Sequence, residues 1–322
     1  MTLPADLGAR LSLPAIAAPM FLVSGPALVV AACRAGVLGT FPSLNRRTTE
    51  AFDGWLTEIE TALADARAEA PDARVAPFGV NLISHGTNDR LADDLAACAD
   101  HKVPLIITSK GSPARVVETV HGYGGRVFHD VINLTHARKA AEAGVDGLIL
   151  VCGGAGGHAG LLNPFAFLAD VRAFFDGTIV LAGCINTGRE IRAAEVMGAD
   201  LAYVGTRFVA TKESMAPEAY KDMLVDCGAD DILYTPAISG VHANALIPSI
   251  RGAGLDPAAL PAEGRVETAP DGRPLKAWID IWTAGHGVGG IADSPGVGEL
   301  IDRMKRDYDA ACAQDTPARA AE

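Results

Sequence analysis

Short apolar runs alternate along the chain with longer stretches in which apolar residues return every three or four positions. Runs such as GLILV (147–151) and TIVLA (178–182) are almost continuously apolar, the pattern of strands covered on both faces rather than one. Eight such strands are predicted, over 14–19, 37–41, 75–82, 103–108, 126–132, 147–152, 178–182 and 201–204. The stretches between them carry helix punctuation. Ser24 precedes Pro26 in a first turn, and Ser112 with Pro113 forms an N-cap and N1 pair. Thr187 and Glu190 have capping-box spacing ahead of IRAAEVMG; Gly198, and likewise Gly144 after THARKAAEA, falls where a helix ends in a left-handed residue.

Eight βα units in succession predict an α/β fold of the (β/α)8 barrel type, because right-handed crossovers bring the last strand round to the first. A doubly wound open sheet would need fewer strands and a reversal of strand order. From 230 to 276 the periodicity is lost in a segment rich in Pro and Gly, ISGVHANALIPSIRGAGLDPAALPAEGR among it. This segment is predicted to be an inserted lid or substrate subdomain, with 1–229 and 277–313 forming the barrel domain. Helices are predicted to resume over 277–283 and 297–313, and 314–322 to fray as a tail.

With 322 residues, 49% of them hydrophobic and 20% charged, the chain has material for one large barrel as readily as for two domains. A formal charge of −12 argues against nucleic acid or an anionic membrane as partner, and leaves room for a local phosphate site. The six cysteines (33, 98, 152, 184, 227 and 312) are widely spaced without a C-x-x-C, and read as buried reduced thiols. No basic segment precedes an apolar core at the N-terminus, and Gly, Pro or charge breaks the longest apolar runs, so a cytoplasmic protein is expected.

Chemistry in such a barrel sits at the C-terminal ends of its strands. The first strand runs into AAPM, with Ala18, Pro19 and Met20; the third ends in GVNL, placing Asn81 at the mouth; the fourth ends in TSKG and the fifth in FHDV, with His129 and Asp130. The sixth runs into VCGGAGGHAG, where Gly156 and Gly157 precede His158. The seventh runs into AGCINTG, with Gly183 and Cys184, and the eighth into GTRF, with Gly205 and Thr206. Glycines let a ligand approach the backbone, and an imidazole titrates near neutral pH, so the sixth segment reads as a cradle with a base beside it. Gly183, Gly205 and Thr206 follow the two strands where such barrels bind phosphate. Each alone would pass for an ordinary turn; the pair favours a phosphate site.

GHGVGG (285–290) matches G-x-G-x-x-G, but lacks both the preceding strand and room for the acidic residue that a dinucleotide fingerprint needs. It reads instead as a flexible glycine loop leaning on the mouth. His85, His101, His121, His136 and His242 read as solvated, and His129 as either a pocket residue or a structural hydrogen-bond partner. No convergent ligand set for a metal and no G-x-S-x-G elbow is visible, so no metal is expected.

Taken in order, AAPM, GVNL, AGGH-x-G, AG(C)I and GTRF resemble the nitronate monooxygenase family, formerly called 2-nitropropane dioxygenases, over about 13–293. That resemblance implies a TIM barrel with non-covalent FMN. Ala18, Pro19 and Met20 would present backbone to the flavin ring, and Asn81 would touch flavin or phosphate. Gly156, Gly157, Gly183, Gly205 and Thr206 would surround the phosphate and ring system. Asp130 and Cys184 join these positions as departures: relatives commonly carry a second glycine where this chain has Cys184, and some carry a lysine near the end of the fifth strand, where this chain reads His129–Asp130. A positive charge lost there would stabilise a reduced anionic flavin less. His158 would be the catalytic base, taking the α-proton of a nitroalkane or holding the nitro group of a nitronate, and O2 would complete the oxidation to a carbonyl compound and nitrite.

The same barrel and AGGH signature occur in NAD(P)H-dependent reductases of quinone and enoyl substrates, for which 230–276 would form a nicotinamide-adenine lip. A non-catalytic flavin-binding protein is the third reading, although a pure binder has no need of a base at the flavin edge. A monomer or a homodimer is expected.

Overall fold

The computed structural model describes residues 3–314. Eight parallel strands close into a barrel: β1 (Ala15–Ala17), β2 (Leu38–Pro42), β3 (Phe78–Ile83), β4 (Leu105–Ser109), β5 (Arg126–Val131), β6 (Gly147–Val151), β8 (Thr178–Ala182) and β9 (Leu201–Val204), each hydrogen-bonded to the next in that order. Closure is made by β9 on β1, with Ala15 opposite Ala202 and Ala17 opposite Val204. The chain is therefore a (β/α)8 barrel and not an open sheet. Every residue of β2, β6 and β8 is buried, as strands covered by barrel interior on one side and helices on the other require.

Two strands are shorter than their apolar runs. Pro14 and Pro19 bracket β1, and β3 begins only after Pro77, because proline cannot donate to a ladder. The capping box of Thr187 and Glu190 opens the helix Gly188–Val196, and Gly144 and Gly198 end theirs at φ of +82° and +105°. The helix Ala114–Gly122 starts one residue late, with the Ser112 hydroxyl accepting the Ala114 N–H. The predicted helix over 277–283 is absent. Its residues form a tight turn: the Asp280 carboxylate accepts the Lys276 N–H at 2.7 Å, Ala277 bridges Ile281, and Trp278 takes φ +69°. A carboxylate that bonds nearby backbone offers the chain an alternative to a helix. The last helix is Val297–Gln314; the predicted tail beyond Gln314 lies outside the described residues.

A second, antiparallel sheet stands over the barrel mouth. It is ordered β10 (Ile232–Thr235), β11 (Ala243–Leu246), β7 (Gly157–His158), with Ala243 opposite His158 and Asn244 opposite Gly157. Behind it Ile238, Ala245, Ile250, Ala253 and Ile281 pack into an apolar cluster of their own. The 230s and 240s are thus stitched by backbone hydrogen bonds to the loop that follows β6. Among the described residues no helix is long and apolar enough to cross a membrane.

Candidate active site

At the C-terminal end of the barrel lies a cavity of about 1270 Å³, and all the site residues expected from sequence line it: Ala18, Pro19, Met20, Asn81, Asp130, Gly156, Gly157, His158, Gly183, Cys184, Gly205 and Thr206. The strand ends bring them there from seven separate segments of the chain.

The wall after β1 is held by a side chain from the next unit. Asn45 donates to the carbonyls of Met20 (3.1 Å) and Ser24 (2.7 Å) and accepts the Leu22 N–H (2.8 Å), fixing Leu22 at φ +61°. Gly205 is the neighbour of this wall: a Cβ there would lie 3.8 Å from the Ala18 methyl and 3.9 Å from the Met20 sulfur. Asn81 is pinned by donating to the Ile107 carbonyl and the Ser109 hydroxyl.

The loops after β8 and β9 form the opposite wall. The backbone amides of Gly183, Cys184, Gly205 and Thr206 have no acceptor within the protein among the described residues. Unpaired N–H groups grouped at one pocket edge are what an anionic oxygen needs. Gly183 at φ +130° and Cys184 at φ +56° both lie in the left-handed region, which explains why glycine suits this pair of positions. Cys184 is exposed into the cavity, contrary to the expectation of six buried thiols; Cys33, Cys98, Cys152 and Cys227 are buried and Cys312 is half-buried.

GHGVGG folds into a 3-10 turn pinned to this wall and not a free loop. The Gly285 N–H donates to the Thr206 hydroxyl oxygen (2.9 Å), the His286 N–H to the Gly154 carbonyl (2.9 Å), and Asn186 to the Gly287 carbonyl (2.5 Å). Here the role of Gly156 becomes specific: a Cβ would stand 2.9 Å from the Gly285 nitrogen and 3.0 Å from the Thr206 hydroxyl. The glycine makes room for protein backbone as well as for a ligand.

His158 occupies the edge strand β7. Its Nε2 lies 3.1 Å from the Ser239 hydroxyl, and its ring meets the Trp278 ring edge-on at 5.0 Å. Burial, reinforced by the nearby charge of Lys110, pulls its pKa down to about 4, so the imidazole is neutral at neutral pH. Lys110 also lines the cavity, on a φ +55° residue at the end of β4, and burial lowers its own pKa. Deeper in, the Asp130 Oδ1 and the Tyr203 hydroxyl are buried with no hydrogen-bond partner, and burial pushes the Asp130 carboxyl up to about 7. His129 lies buried behind, its Nδ1 2.7 Å from the Thr108 hydroxyl; burial, then His136, lowers its pKa to about 4.

Of the histidines expected to be solvated, His101 is not: half-buried, it bridges Glu60 at 2.8 Å and Asp53 at 3.0 Å. His136 is exposed yet reaches the outer edge of the cavity. Ser239, Trp278, Tyr203 and Lys110 are the residues missed. Lys110 stood in TSKG directly after a strand; the other three had no local pattern to mark them.

The nitronate monooxygenase family model matches residues 8–304. A nitronate monooxygenase of Paraburkholderia phytofirmans is 32% identical over 279 residues, 76% of each chain. A Rhodococcus jostii protein named (3aS,4S,5R,7aS)-5-hydroxy-7a-methyl-1-oxo-octahydro-1H-indene-4-carboxyl-CoA dehydrogenase is 27% identical over 236 residues, 71% of this chain and 61% of its own. Among solved structures, nitroalkane oxidase from Streptomyces ansochromogenes superposes with a TM-score of 0.80 at 24% identity, over 97% of this chain and all of that one, and FabK from Thermotoga maritima with 0.76 at 23%, over 97% and 98%; both likenesses concern the fold.

Proposed function

The chain belongs to the nitronate monooxygenase family, an enzyme family of flavin-type oxidoreductases, and from that premise we propose that it uses FMN and O2 to oxidise alkyl nitronates, and nitroalkanes through them, to a carbonyl compound and nitrite. The observation that carries this reading is a neutral imidazole, His158, set beside the cation Lys110 at the mouth of a cavity with four open backbone amides on its far wall.

The residues present fit FMN. The amides of Gly183, Cys184, Gly205 and Thr206 suit its phosphate, the backbone of Ala18–Met20 and the side chain of Asn81 suit the ring, and the partnerless Asp130 Oδ1 and Tyr203 hydroxyl suit its polar edge. When bound, FMN supplies the electron acceptor that the protein side chains lack.

His158 takes the proton from the carbon bearing the nitro group. The C–H bond breaks, its electron pair moves into the C=N bond of the nitronate, and the proton stays on the imidazole. A base must be unprotonated to act, which the depressed pKa secures. The nitronate so formed is an anion, and the Lys110 ammonium is the nearby charge that favours it. The Trp278 and Trp282 rings on the cavity wall exclude water from the reacting carbon, and we read 230–276 as the cover on the substrate side.

Anaerobic mixing of the flavin-loaded protein with ethylnitronate or with NADH tests the proposal. Bleaching by the nitronate alone supports it. Rapid full reduction by NADH would overturn it in favour of a reductase, and a chain that takes up no flavin would overturn both.

A further inference from the structure

We propose that the substrate carries an extended, unbranched apolar chain, which leaves the reacting carbon at His158 and crosses a rim formed by Ile132, Val241 and Ile279. This rests on the reading of His158 as the base. The surface of the described protein exposes few large apolar side chains, and most of them gather here: Phe21, Ile132, Met215, Val241 and Ile279 are all exposed and all line this one cavity. Scattered exposed apolar residues need no explanation, whereas a patch ringing one pocket marks a binding surface.

Three of the five stand directly around the base. Val241 is the residue whose carbonyl accepts the Ser239 hydroxyl, itself bonded to His158. Ile279 follows Trp278, whose ring meets the imidazole, and is 54% exposed. The Ile132 carbonyl and side chain abut Gly160, two residues beyond His158, where an added Cβ would lie 2.8 Å from that carbonyl. A two-carbon nitro compound deprotonated at His158 has no atoms left to cover these side chains. The volume points the same way: 1270 Å³ exceeds the roughly 300–1,000 Å³ that houses a single drug-sized ligand, so flavin and a short nitroalkane leave rim space unfilled. The charge pattern gives the ligand its polarity, with Lys110 inside for the anionic end and isoleucine and valine outside for the tail.

Straight-chain carboxylates, shaped like nitronates but inert, are the probe. Calorimetric titration of the flavin-loaded full chain with acetate through decanoate is expected to show Kd falling about threefold per added methylene until the rim is filled. Ile279→Ser and Ile132→Thr are each expected to cut the decanoate-to-acetate preference by about tenfold. A flat series in the parent protein overturns the proposal, and so does a preference that both variants retain. If the series climbs but no nitronate of any length is turned over, the chain-binding rim stands and the nitronate reading fails.

Discussion

The Nε2 of His158 lies 3.1 Å from the Ser239 hydroxyl, and that hydroxyl donates to the Val241 carbonyl at 3.0 Å. A carbonyl can only accept, so the serine hydrogen is committed and the imidazole must donate from Nε2. The ring is thereby held as the Nε2–H tautomer, with the Nδ1 lone pair free to take a proton. Ser239→Ala removes the partner that selects this tautomer. Activity on nitroethane is expected to fall about tenfold in kcat/KM, with preformed ethylnitronate affected less. Nitrogen-15 spectra of the histidine ring in the parent protein give a check independent of turnover, and protonated Nδ1 there would refute the assignment.

Replacing the base itself separates its two possible duties. His158→Ala is expected to cost about 10²–10⁴ in kcat/KM on neutral nitroalkanes and far less on nitronates, which arrive already deprotonated. Equal losses on both substrates would make the histidine an anion holder and not a base.

The pH profile carries a sign that an ordinary histidine would not give. Burial and Lys110 depress the folded-state pKa of His158 to about 4, so the imidazole remains a competent base as pH falls through the 6–7 range. The acid limb of kcat/KM for nitroethane is expected near pH 4, well below the usual imidazole value of about 6.5. Lys110→Met is expected to move that limb upward while raising KM for ethylnitronate. A limb near 6.5 in the parent enzyme would contradict the buried, cation-flanked environment.

The open amides make a prediction about the cofactor. Gly183 sits at φ +130°, which a side chain rarely adopts, so Gly183→Ala must turn the loop and its N–H groups out of place. FMN affinity, followed by quenching of flavin fluorescence, is expected to drop more than tenfold. Cys184→Gly, at φ +56°, relieves the same kind of strain and is expected to hold FMN at least as tightly. Unchanged affinity in Gly183→Ala would remove this wall from the phosphate site.

The barrel and most of the site were legible because local rules govern them. Buried parallel strands announce themselves as apolar runs, capping boxes and left-handed glycines mark helix ends, and barrel chemistry falls immediately after each strand, so reading off strand ends found Asn81, His158 and Thr206. What was not legible depends on pairings across long stretches of sequence. Ser239 reaches His158 from 81 residues away, through an antiparallel sheet whose strands are four residues or fewer. Trp278 sits in WIDIW, which has helical spacing until the Asp280 carboxylate closes the turn. The partnerless oxygens of Asp130 and Tyr203 are properties of burial, which no residue pattern displays.

One ladder of hydrogen bonds joins the two-residue strand bearing His158 to β11 of the inserted segment, and the loop leading into β11 contributes both Ser239 and Val241. Basicity and substrate range are thus mechanically one part. A graft that replaces 230–246 to admit a different molecule also replaces the serine that sets the tautomer and the edge that holds the ring. In this scaffold a change of specificity is inherited together with a change of catalytic pKa, and selection acting on either one drags the other along.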